Sequence, residues 1–244
     1  MFTIIRQRLT FLFAMAASAF VLCCGCSDNG IGRAFEELKR AKYGDVNDGA
    51  GDGAGTVVNP KDVKDGTFTD SRDSKVYNTV TIGRQTWMAE NLNYEATDSS
   101  WCYEDSSRYC GIYGRLYNWA AAKSVCDTGW HLPDTSEWRK LVSAAGGQDI
   151  AGGKLKSASG WEYNYNQSGD GTNEYKFSAR PGGQRNLRGE FHNTGKMGYW
   201  WTATEVDDAE KVNAYLRSMY YNLDQVHEFG TAKKDGLSVR CVKN

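Results

Sequence analysis

Cys102, Cys110, Cys126 and Cys241 could bridge in pairs, hold a zinc ion or act as free thiolates. Zinc fits poorly, because no C-x-x-C pair occurs and the chain has just three histidines, His131, His192 and His227. No Gly-x-Ser-x-Gly, His-Glu-x-x-His or phosphate-loop string is present. His131 stands at a helix start, and Asp134 and Glu137 are explained by capping that helix. These absences argue against an enzyme, and no catalytic residue is assigned. The other chemistry is recognition. Trp161, Tyr163, Tyr165 and Tyr175 alternate with Asn164, Asn166, Gln167 and Asp170. Flat rings suit the apolar C–H faces of sugars, and amides and carboxylates hydrogen-bond hydroxyls. The competing reading makes the rings one buried strand face. Of Trp200 and Trp201, adjacent on a strand, one is expected in the core and Trp201 is carried as the exposed candidate. Glu205, Asp207 and Asp208 beside them are weak calcium candidates. Asp45 to Gly49 suggests a calcium loop, but its glycine comes one residue early and no Glu stands at position twelve.

The compartment follows from the N-terminus. Arg6 and Arg8 precede an apolar run from Leu9 to Leu22, then Cys23, Cys24, Gly25 and Cys26. A basic start, a short apolar run and small residues at a cut site describe an export signal. A cysteine at the cut looks like a bacterial lipoprotein signal, with Cys26 as the lipidated residue and Cys24 as an alternative. Cys23 stands three before Cys26, where leucine is usual. A membrane-spanning reading is weaker, since the run of roughly 14–16 residues falls short of the ~20 a helix needs. Acylation contributes about 0.8 kcal/mol per buried CH₂, so more than one chain gives a stable anchor. The protein is thus expected in the cell envelope, at the outer membrane or cell surface, with the membrane as a partner.

Outside the cytoplasm, four cysteines default to two disulfides, for which three pairings exist. The favoured one is Cys102–Cys110 with Cys126–Cys241. On the chain-entropy relation the short loop contributes about 2–3 kcal/mol and the long one about 4–5 kcal/mol. The net charge of −1 becomes about −3 without the signal, so nucleic acid is excluded as a partner.

Residues 1–26 are assigned to the signal, 27–65 to a Gly/Asp-rich linker and 66–244 to one folded domain. Lys75 to Ile82 alternates and is rich in β-branched residues, and Gly83-Arg84 suits a two-residue hairpin turn before Gln85 to Ala89. Helices are predicted over 113–123 and from the cap Asp134 to Gly146-Gly147. Strands are predicted at 175–179, 198–204, 214–219 and 236–242, and loops at Pro181 to Asn186 and Phe191 to Lys196. An opening hairpin, then helices, then a loop-rich antiparallel sheet make an α+β fold.

Five ordered segments carry a family resemblance. They are Gly66-Thr-Phe-Thr-Asp-Ser-Arg-Asp-Ser-Lys-Val-Tyr77, Thr81-Ile-Gly-Arg-Gln-Thr-Trp-Met-Ala-Glu-Asn-Leu-Asn-Tyr94, Tyr113-Gly-Arg-Leu-Tyr-Asn-Trp-Ala120, Cys126-Asp-Thr-Gly-Trp-His-Leu-Pro-Asp-Thr-Ser-Glu-Trp138 and Gly236-Leu-Ser-Val-Arg-Cys-Val242. The chain resembles the Fibrobacter succinogenes major paralogous domain family from about residue 66 to its end. That family is typically surface-associated and often lipid-anchored. More distantly, His131 to Trp138 and Gly236 to Cys241 are similar to segments of formylglycine-generating-enzyme-like domains. Their likeness implies a C-type-lectin-like fold with two helices and a twisted, loop-rich antiparallel sheet. It also implies that the last strand lies near Cys126, in support of the Cys126–Cys241 pair. The reactive-cysteine pattern of those oxidases is not matched, since Cys241 sits in the closing strand. The E-P-N and W-N-D calcium triplets of sugar-binding C-type lectins are absent as well. The expectation is a lipid-anchored envelope protein whose domain binds a polysaccharide or an envelope protein. A purely structural envelope component is the alternative, and a formylglycine-generating-like oxidase is third. No cofactor is expected beyond the weak calcium site.

Overall fold

The computed structural model describes residues 56–244, all within one compact unit, Val46–Asn244. Cys26 and the Asp45–Gly49 segment lie outside the described residues. The fold draws in chain ahead of Gly66. Val58 N–H donates to Ala144 O at 2.9 Å, and Tyr175 Oη donates to Val58 O at 2.9 Å. The domain start placed at Gly66 therefore moves to residue 58 or earlier.

Strands β1 (Lys64–Thr69), β2 (Val76–Ile82) and β3 (Gln85–Met88) form an antiparallel meander. Gly83 turns β2 into β3 at φ +62°, the left-handed value a two-residue hairpin needs. The next elements are β4 (Ser100–Trp101), α1 (Ser107–Tyr113), β5 (Leu116–Tyr117) and α2 (Trp119–Ala122). The single helix predicted over 113–123 is thus three pieces. Gly114 breaks it at φ +74°, packed so that a Cβ there would lie 2.8 Å from atoms of Asn91 and Leu92. After β6 (Trp130–His131), helix α3 (Thr135–Ala144) opens on a capping box. Asp134 Oδ1 accepts from Glu137 N–H at 2.8 Å, and Glu137 Oε2 accepts from Asp134 N–H at 2.9 Å. Trp138, Leu141 and Val142 then bury one helical face, and Gly146 and Gly147 end the run at positive φ. A short α4 (Ala151–Leu155) follows. The described residues therefore hold four short helices where two were predicted.

The remainder is sheet: β7 (Tyr163–Asn164), β8 (Gln167–Ser168), β9 (Gly182–Arg185), β10 (Phe191–Thr194), β11 (Met197–Glu205), β12 (Asn213–Tyr220), β13 (His227–Ala232), β14 (Leu237–Ser238) and β15 (Val242–Lys243). One sheet runs β1-β2-β3-β15-β6. A second runs β10-β9-β11-β14-β5-β4, with β12 and β13 continuing from β11. The protein is α+β, with mostly antiparallel open sheets. Three local expectations are corrected. The predicted loops at Pro181 and Phe191 are the paired strands β9 and β10. The predicted closing strand is two pieces, β14 in one sheet and β15 in the other. Residues 175–179 bury Tyr175, Phe177 and Ala179 as alternation requires, yet Lys176 and Ser178 have positive φ and the segment makes one isolated bridge. Its polar partner is the guanidinium of Arg240, which donates to Phe177 O and to Ser178 O.

Strand β11 explains the core. Trp200 enters one apolar cluster with Trp87, Trp138, Phe177 and Trp161. Trp201, pointing oppositely, enters another with Tyr117, Trp119, Leu216 and Val239. Both faces are covered, so both indoles are fully buried. Trp200 Nε1 donates to Asn91 Oδ1 at 2.9 Å and Trp201 Nε1 to Tyr117 O at 2.7 Å.

Candidate functional site

The predicted recognition segment splits in two. Trp161 is 3% exposed. Its Nε1 donates to Ser157 Oγ at 3.2 Å and to Ala179 O at 3.1 Å. Its backbone N–H donates to Asp170 Oδ1 at 2.9 Å. The other Asp170 oxygen accepts from Ser168 Oγ at 2.7 Å. Trp161 and Asp170 are therefore corrected from ligand contacts to the clasp that closes the segment's base. Trp201 is corrected likewise, from exposed candidate to core.

Beyond the clasp the chain leaves the core. β7 and β8 pair as a two-residue hairpin, Tyr163 opposite Ser168 and Asn164 opposite Gln167, with Tyr165 and Asn166 at the turn. Tyr163 is 69% exposed and Tyr165 is 75% exposed. Tyr165 holds φ +55°, a value a bulky residue rarely adopts. The hairpin stands on a rigid floor. Gly169 N–H donates to Glu162 O at 3.0 Å, and a Cβ on Gly169 would fall 2.2 Å from that oxygen and 2.7 Å from Tyr221 O. Glu162 N–H in turn donates to Gly195 O at 2.9 Å. Beneath Trp161 lies the buried Lys156, its Nζ donating to Tyr220 O at 3.2 Å and Leu223 O at 3.1 Å. Burial pulls the pKa of that ammonium down, with Asp224 and Asp170 opposing. The result is two phenol rings with Asn166 and Gln167 displayed on a fixed platform. That arrangement suits stacking and hydrogen bonding, and it holds no nucleophile–base pair.

The remaining predicted residues are accounted for individually. Cys102 pairs with Cys110 and Cys126 with Cys241. Glu205 pairs with Lys233 Nζ at 3.0 Å. Asp208 accepts from Asn213 Nδ2 at 2.9 Å and Val212 N–H at 3.2 Å. The Asn213 bond, with those of Val212 and Lys211, holds this carboxyl below its usual range. Asp207 is exposed. Among the described residues no group of three or more His, Cys, Asp or Glu side chains is placed to hold a metal. The Glu205, Asp207 and Asp208 calcium candidates therefore do not assemble into a ligand set. His131 is structural, with Nε2 2.9 Å from Glu137 Oε1 and Nδ1 2.6 Å from Asn244 Oδ1.

Sequence reasoning missed a second surface, the concavity lined by Glu95, Trp101, Asp105 and Arg115. Its one signal in the sequence is Trp101 next to Cys102, a large ring beside a bridging cysteine. It also missed Arg240, fully buried inside the closing segment with Nε donating to Asn91 Oδ1 at 2.9 Å.

Among known proteins, the model of the family described as the Fibrobacter succinogenes major domain matches residues 80–243. No curated protein and no solved structure matches the chain.

Proposed function

The chain belongs to the Fibrobacter succinogenes major domain family, and on that premise we propose a lipid-anchored cell-envelope protein whose extracytoplasmic domain binds glycan. Cys26 carries the acyl chains, and the domain has a C-type-lectin-like fold. The observation that carries the reading is the exposure of Tyr163 and Tyr165 on a hairpin clamped by Trp161 and Asp170. Rings left in water on a rigid support lose little conformational freedom when a sugar face covers them. Asn166 and Gln167 supply hydrogen bonds beside them. Two disulfides in the domain suit an oxidising compartment. Because they occupy all four cysteines of the described residues, they also favour binding over thiol oxidation.

The test is retention of the full chain on a panel of insoluble and arrayed polysaccharides, compared with the Tyr163→Ser/Tyr165→Ser double variant. Retention of the parent and its loss in the variant are expected. Equal retention of both proteins removes the hairpin as the site. Failure of the parent on every glycan turns the reading toward an envelope protein as partner.

A further inference from the structure

A cleft of about 320 Å³ opens between β4, β5 and the turn before α1. Its size is at the lower end of the ~300–1,000 Å³ usual for small-molecule sites, and it shares no residue with the β7–β8 hairpin. Trp101 pairs across the strands with Leu116, and Arg115 immediately precedes that strand, so ring and guanidinium are held near each other. Cys102, next to Trp101, is bridged to Cys110. Within that bridged loop Glu104 and Asp105 hold φ +52° and +53° in succession. L-residues rarely adopt this conformation, and such outliers gather at ligand sites. The turn brings Asp105 into the cleft lining.

The charges balance. Arg115 Nη2 lies 2.9 Å from Glu95 Oε2, and the Arg185 guanidinium stacks on Trp101 at 4.3 Å. Two carboxylates and Arg115 thus line the cleft, with Arg185 beside it on the Trp101 ring. Hydrogen-bonding capacity does not balance internally. Arg115 offers five N–H donors, its side chain is 15% exposed and Glu95 is its ion-pair partner; its unpartnered Nε is buried, so a ligand is met by the terminal N–H groups. The Asp105 carboxylate has no hydrogen-bond partner among the described residues. Ser107 adds a hydroxyl at the cleft.

We propose that this cleft binds an uncharged hexose saccharide of one or two rings. Hydroxyls both donate and accept, so they answer Asp105 and Arg115 together, while pyranose C–H groups meet the part of Trp101 that lines the cleft. An acidic sugar would meet Glu95 and Asp105, and an amino sugar would meet Arg115 and Arg185. The site stands on this geometry and does not depend on the hairpin.

The full chain is titrated by calorimetry with maltose, lactose and cellobiose, and with glucuronate and glucosamine. At least one neutral disaccharide is expected to saturate, with the charged sugars binding about tenfold more weakly or worse. Asp105→Asn, on an exposed turn, and Arg115→Gln should each weaken binding roughly tenfold. Absence of saturation by roughly 10 mM with every neutral disaccharide overturns the proposal. So does equal binding of charged sugars or indifference to Asp105→Asn.

Discussion

Replacing Cys126 and Cys241 together with alanine should remove about a third or more of the folding free energy of this domain. The bridge spans 115 residues. The chain-entropy relation gives about 4.8 kcal/mol for closing such a loop and about 2.5 kcal/mol for the separation of 8 between Cys102 and Cys110. Single domains hold about 5–15 kcal/mol in all. The location adds to the effect. Cys241 lies between β14, in the larger sheet, and β15, in the smaller, so the bridge ties the seam of both sheets to the chain beyond α2. Guanidinium unfolding of three proteins reads this out: the parent, Cys126→Ala/Cys241→Ala and Cys102→Ala/Cys110→Ala. The long-loop variant should lose about 2 kcal/mol more than the short-loop variant, with a steeper denaturant slope from its more expanded unfolded state. Equal losses, or less than about 1 kcal/mol for the long loop, would refute the assignment of Cys126–Cys241 as the principal staple.

Arg240→Lys should destabilise by about 2–4 kcal/mol, because one ammonium cannot replace the bonds to Asn91, Phe177 and Ser178 in a fully buried site; thermal melting of the refolded variant checks this. Backbone and side-chain hydrogen bonds from Ser71, with help from Thr128 and Arg72, hold the Asp127 carboxyl below its ordinary range. Its stabilisation is therefore complete above the unfolded value near 3.8 and is lost as pH falls through the folded value. Asp127→Asn should flatten the acid limb of a urea-midpoint profile over about pH 2–5. Burial lowers the His131 pKa, but bonds to Asn244 and Glu137 outweigh it and the net shift is upward. Its contribution is full below about 6.5 and fades as pH rises through the folded value, so His131→Gln should remove a small decline between about pH 6 and 8. Mass spectrometry of envelope-extracted protein should find Cys26 as an acylated first residue, and Cys26→Ser should leave the N-terminus uncleaved.

Local chemistry was legible where neighbours in sequence decide the outcome. Gly83-Arg84 turned as expected, and Asp134 with Glu137 capped α3 through their own side chains. Distant neighbours decided the rest. Gly114 ends a helix because Asn91 and Leu92 crowd it, a contact that no window around residue 114 contains. The segment 175–179 keeps strand-like alternation of burial while Lys176 and Ser178 sit at positive φ and Arg240, over sixty residues away, takes up its carbonyls. Trp200 and Trp201 are both buried because β11 is covered on two sides, a property of the sheet rather than of the strand. At the recognition segment the spacing of Trp161, Tyr163 and Tyr165 suggested one shared face. The chain leaves the core just past the clasp of Trp161 with Asp170, leaving the indole inside and the phenols out. The Trp101 cleft was invisible because its parts join only when β4 pairs with β5.

The most direct test follows the aromatic ring resonances of Tyr163, Tyr165 and the Trp161 indole by NMR as a soluble fragment of a retained polysaccharide is added to the full chain. Saturable shifts of both phenol rings, with the Trp161 Nε1–H unmoved in its bonds to Ser157 and Ala179, are the predicted result. Binding that leaves the two phenols silent would contradict the account.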